Sequence, residues 1–119
     1  MREDNTIQVL SKAFALRIIK LYTYLNNEKK EYVLSKQVLR SGTSIGANAR
    51  ESVNAQSAMD FINKLNIALK EANETQYWLE LLYESDFIGK TEYDSIYADC
   101  SRIVATLINI IKTKKENLN

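Results

Sequence analysis

Apolar residues recur at the helical period in three long stretches, and a fourth keeps the spacing with small and polar residues where a core is expected. Ile7, Leu10, Phe14, Ile18, Leu21 and Leu25 fall at steps of three and four and predict a first helix from Ile7 to Leu25. The polar run Asn26-Asn27-Glu28-Lys29-Lys30 ends it as a short link between antiparallel helices. From Tyr32 to about Ala55, Leu34, Val38, Ser41, Ile45, Asn48 or Ala49, and Ser52 share one face. Gly42 and Gly46 each cost up to about 1 kcal/mol relative to alanine inside a helix, so their expected role is close backbone approach to a neighbour. A break into two helices at Ser41-Gly42-Thr43-Ser44 is the alternative.

Ser57-Ala58-Met59-Asp60 has the form of a helix start, and Phe61, Leu65, Ala68, Ala72, Leu79 and Leu82 carry a third helix through Tyr83. Gly89 is the expected left-handed terminus. Thr91-Glu92-Tyr93-Asp94 repeats the capping pattern ahead of a wide stripe of Tyr93, Ile96, Tyr97, Cys100, Ile103, Val104, Leu107, Ile108 and Ile111. Four helices of similar length with short links predict an all-α fold: an antiparallel up-down-up-down four-helix bundle, a single domain over 1–119.

Composition supports this and removes several function classes. With 119 residues, no proline and three glycines, the chain lacks the turns that a sandwich or barrel needs. Hydrophobic residues at 45% and charged residues at 26% are ordinary for a globular domain. Sixteen Lys and Arg against fifteen Asp and Glu leave +1, so any attraction to a polyanion must be local. With no histidine and one cysteine, a Ser-His-Asp triad, a Cys-His dyad and a histidine-containing zinc site are excluded. Glu71, Glu74, Glu80 and Glu84 lack the Glu-x-x-His pattern of a bundle di-metal site, so no metal, cofactor or catalytic residue is expected. The N-terminus shows no signal-peptide core and no stretch approaches a membrane span, so the expected location is cytoplasmic.

The remaining chemistry lies in the second helix. Gln37, Ser41, Ser44, Asn48 and Glu51 form a polar stripe, expected to pack against a neighbouring helix or subunit with its groups hydrogen-bonded, the alternative being a ligand or nucleic-acid contact surface. Lys36, Arg40 and Arg50 fall within an arc of about 80° on a continuous helix and are the candidate phosphate contacts, the alternative being a solvated face with Glu partners. Tyr77 and Trp78 are adjacent, so they cannot both face one core, and one is expected to point at a partner subunit. Cys100 reads as a small buried hydrophobe. Lys112, Lys114 and Lys115 suit the carbonyl end of a helix.

Leu34, Gln37, Arg40, Ser41, Ser44, Ile45, Asn48 and Glu51, followed by Phe61, Ala68, Glu71 and Tyr77 to Leu82, resemble the four-helix-bundle proteins named after the intervening sequence of bacterial 23S ribosomal RNA. The resemblance spans nearly the whole chain. It implies a ring-like homo-oligomer, a pentamer, and a relation to the accessory protein of diversity-generating retroelements, which partners a reverse transcriptase and nucleic acid. It thereby implies a non-enzymatic protein that binds RNA, DNA or a ribonucleoprotein partner, with an interaction scaffold as the alternative. Where many members follow the Asn with an apolar residue, Ala, Glu and Gly, this chain has Ala49, Arg50, Glu51 and Ser52, gaining a cation and losing the glycine.

Overall fold

The structure, a computed structural model, describes the backbone of residues 2–118 and the side chains of residues 5–118. It contains helices α1 (Arg2–Asn27), α2 (Leu34–Ser52), α3 (Ala58–Glu84) and α4 (Lys90–Glu116). The helix expected from Tyr32 starts two residues later and runs through Gly42 and Gly46 without a break. Pairs between helices fix the topology, because one residue number rises as the other falls. Asn26 meets Ser35 while Gln8 meets Ala49. Thr75 meets Ser41 while Lys64 meets Glu51. Tyr97 meets Glu80 while Lys114 lies over Phe61. Each helix is therefore antiparallel to the next, and Arg17 closes α1 onto α4 through Asp99, Glu92 and Ser95. The bundle measures 50 × 21 × 19 Å.

Residues predicted for the inner faces fill the core: Phe14, Ile18 and Leu25 from α1, Val38 and Ile45 from α2, Leu65, Leu79 and Leu82 from α3, and Ile96, Cys100, Ile103 and Leu107 from α4. Several positions differ from expectation. Leu10, Leu34, Phe61, Tyr93, Tyr97 and Val104 are half-buried at the rim of the core. Ile108 is 50% exposed, and Ile110 takes the buried place, because it continues the steps from Ile103 and Leu107 while Ile108 lies about 100° round the helix from Leu107.

The helix ends follow the expected pattern at Ser57 and depart from it at Gly89. Ser57 caps α3 as predicted, accepting the Asp60 amide at 3.0 Å, and Asp60 in return accepts the Gln56 amide at 3.1 Å. Gly89 is not left-handed. Its φ is −83°, and it stands as the residue before α4, which begins one residue ahead of Thr91. The left-handed residue closing α3 is Asp86, with φ 66°. Its amide reaches the Tyr83 carbonyl at 3.0 Å and that of Phe87 reaches Leu82 at 2.9 Å, the paired closure of a Schellman motif with Asp in glycine's place. At α2 the cap comes from outside the helix. The Glu31 carboxylate accepts the amides of Val33, Leu34 and Ser35 at 3.2, 2.9 and 2.7 Å, satisfying three donors that no helical carbonyl reaches.

Cys100 donates to the Ala72 carbonyl at 3.4 Å, and burial pushes its thiol from 9.0 up to about 12. The folded chain therefore keeps a proton that the unfolded chain releases above about pH 9, so stability is full below that pH and falls as pH rises through the window. Tyr97, pushed up to about 12 by burial and by its hydrogen bond to Glu80, adds a second loss above its ordinary 10.0. Urea midpoints of wild type and Cys100→Ala between pH 7 and 10.5 check this. The variant should show a flatter slope between pH 9 and 10 and keep the tyrosine-driven fall above it.

Candidate nucleic-acid interface

α2 presents two different faces. Its small residues serve α1: a Cβ on Gly42 would stand 2.8 Å from Ile18 Cγ1, and one on Gly46 would stand 3.4 Å from the Ser11 carbonyl oxygen. Its polar residues face α3 or fold back on α2 itself. Ser41 is fully buried and its hydroxyl lies 2.8 Å from that of Thr75, also buried. Glu51 pairs with Lys64 at 3.3 Å. Ser44 donates to the Arg40 carbonyl at 2.7 Å, and Asn48 to the Ser44 carbonyl at 2.9 Å. Hydroxyls and amides that look like an interface in sequence are thus consumed largely by the backbone one turn earlier.

The three candidate phosphate contacts separate. Arg40 is held by carboxylates: its guanidinium binds Glu71 at 3.3 Å, Glu74, and the Gln37 side-chain oxygen at 3.3 Å. Glu74 also accepts the Trp78 indole N–H at 2.9 Å, so one carboxylate ties α2 to an aromatic of α3. Lys36 and Arg50 are exposed and make no ion pair with any described residue. Tyr77 and Trp78 divide as their adjacency requires. Trp78 packs half-buried on the core, whereas Tyr77 is 53% exposed, its ring tilted 59° on Trp78 at 5.2 Å.

The antiparallel arrangement sorts the charges by bundle end. Where α2 and α4 finish and α1 and α3 begin, Lys12, Arg50, Lys64, Lys112, Lys114 and Lys115 stand against Glu51, Asp60 and Glu116. Cations still outnumber acids there when Arg2, Glu3 and Asp4, which begin α1 in sequence, are counted. At the other end Glu28, Glu31, Glu80, Glu84, Asp86, Glu92, Asp94 and Asp99 outnumber Arg17, Lys20, Lys29, Lys30, Lys36 and Lys90. The two ends cancel at about +2 and −2 once Arg2, Glu3 and Asp4 are counted, and the net +1 is left by Arg40, Lys70 and Arg102 against Glu71 and Glu74 in the middle of the bundle. Lys36 lies toward the acidic end and Arg50 at the basic one. Composition could not reveal this, since it needs the direction of each helix.

Among the described residues no group of three or more His, Cys, Asp or Glu is placed to hold a metal ion, and Glu71 and Glu74 are engaged by Arg40. Among the described residues no helix is long and apolar enough to cross a membrane.

These features define an antiparallel four-helix bundle with a polar seam between α2 and α3. The chain belongs to the family described as 23S rRNA-intervening sequence protein, whose pattern matches residues 3–109. It is similar, at 60% identity and a TM-score of 0.91, to a crystal structure from Bacteroides thetaiotaomicron described as a protein with unknown function from the S23 ribosomal protein family. That match covers 92% of this chain and 98% of the other. None of the curated proteins matches the chain.

Proposed function

We propose that this protein is a non-enzymatic, cytoplasmic, homo-oligomeric bundle, a ring-like pentamer, that binds nucleic acid or a ribonucleoprotein partner. The observation that carries the reading is the segregation of charge, which gives a nearly neutral chain one end rich in exposed cations. Of the three cations singled out in α2, Arg50 combines exposure, freedom from any described carboxylate and a basic neighbourhood. The family's description by an intervening sequence of ribosomal RNA supports the same partner class. Self-assembly is supported by Val9, Leu16, Ile19 and Tyr24, four large apolar side chains between 41% and 68% exposed that stand among Lys12 and Lys20 on the outer side of α1. A ring repeats each basic end, multiplying contacts that are weak singly.

Labelled RNA and DNA titrated with the protein at several salt concentrations test the reading by fluorescence anisotropy, with light scattering for mass. The expected result is saturable binding that weakens with salt, by an assembly several times the 13.7 kDa chain. Absence of binding at low salt by an intact oligomer removes the nucleic-acid reading. The interaction scaffold then stands, favoured by exposed Tyr77 resting on Trp78. A mass of one chain removes the ring.

A further inference from the structure

Two adjoining grooves occupy the basic end. One, of about 240 Å3, lies between α1 and α2 and is lined by Gln8, Lys12, Gly46 and Arg50 among others. The second, of about 570 Å3, runs from Gln8 past Ser52 and Phe61 to Lys114. Gln8 is common to both, held in place by donating to the Ala49 carbonyl at 2.6 Å. Lys12 and Arg50 thus border the first groove and Lys114 the second, with Gln8 between them, and none of the three pairs with a described carboxylate.

The aromatic chemistry of this end narrows the ligand. Phe61 is half-buried, and Lys114 sits over its ring at 4.7 Å, so the face that could stack on a base is already covered by a cation. The exposed tyrosines, Tyr24, Tyr32 and Tyr77, all lie toward the acidic end. Sequence-tolerant single-strand binders combine a basic groove with stacking aromatics. Here the grooves offer cations and a fixed amide without a free stacking face.

We propose that Lys12, Arg50 and Lys114 contact the phosphate backbone of nucleic acid across these two grooves, without base stacking, and that the Lys36 and Arg40 stripe takes no part. This rests on the nucleic-acid reading above and specifies its surface. Backbone contact without stacking means duplex and single strands of unrelated sequence bind comparably, with an affinity governed by salt.

The test measures the slope of log affinity against log salt on a duplex and a single strand for wild type, Lys12→Gln/Arg50→Gln/Lys114→Gln, and Lys36→Gln/Arg40→Gln. Each lost phosphate contact reduces the slope by about 0.9 on duplex, so the basic-end variant should lose about 3 for every protomer in contact and the stripe variant nothing. A single Arg50→Gln variant guards against misfolding of the triple variant, since that exposed side chain bonds no described residue, and its slope should fall by about 0.9 for every protomer in contact. It too should bind more weakly. Unchanged slopes in both basic-end variants beside a reduced slope in the stripe variant overturn the placement and leave the nucleic-acid reading intact. Preference for single strands by more than about tenfold overturns the claim of no stacking. Absence of binding by wild type at low salt ends both.

Discussion

Gly42→Ala destabilises the bundle by about 1–2 kcal/mol, whereas Gly46→Ala, four residues on in the same helix, stabilises it by about 0.5–1 kcal/mol. Helix propensity alone gives both substitutions the same gain. The difference is what the added methyl meets. At position 42 it would lie 2.8, 3.0 and 3.2 Å from Cγ1, Cγ2 and Cδ1 of Ile18, a fully buried, β-branched side chain with no free rotamer to move into. At position 46 its nearest neighbours are the Ser11 carbonyl oxygen and hydroxyl at 3.4 Å, ordinary contact, so the propensity gain survives. Urea unfolding followed by circular dichroism separates the two. Equal shifts in one direction would mean that α1 and α2 have room to part at Ile18.

Thr75→Val costs about 1–3 kcal/mol, more than Ser41→Ala at about 1 kcal/mol, and the double variant costs less than the two added together. The Thr75 hydroxyl stands 2.8 Å from the Glu71 carbonyl and 2.8 Å from the Ser41 hydroxyl, with both residues fully buried. A carbonyl can only accept, so Thr75 gives its proton to Glu71 and Ser41 gives its own to Thr75. Removing the threonine hydroxyl strands the serine, buried and without a partner, whereas removing the serine leaves Thr75 with its carbonyl. Deleting both leaves nothing stranded. A double-mutant cycle should give a coupling on the order of 1 kcal/mol. Additivity would show that Ser41 finds another acceptor within α2.

Helix number, order and most core positions were legible because burial and the 3.6-residue period leave the same imprint on α1, α3 and α4. What escaped was chemistry between elements. Glu31 precedes α2 and matches no capping pattern, because it caps from three residues ahead of the first helical position. Asp86 takes the left-handed place although glycine is the commoner left-handed residue, because Gly89 stands three positions on and the Phe87 amide has to reach Leu82. Arg40 looked available for phosphate because Glu71 and Glu74 lie more than thirty residues away in sequence. Arg17, the clamp between α1 and α4, carried no signal at all, its partners lying in a helix 75 or more residues on. The polar stripe was legible as a pattern but not in its destination, since serine and asparagine on a helix satisfy themselves on their own backbone as readily as on a neighbour.

The separation of charge along the 50 Å axis makes the molecule an electric dipole as well as a carrier of a basic surface. At physiological ionic strength the Debye length is about 8 Å, so the two ends do not sense each other and the acidic end exerts no repulsion on a polyanion seated at the basic one. In dilute salt, at about 30 Å screening, a polyanion near the protein would act on both ends and favour approach with the basic end foremost. Orientation is then chosen during diffusion, so the helix directions settle which end of a nearly neutral protein arrives first.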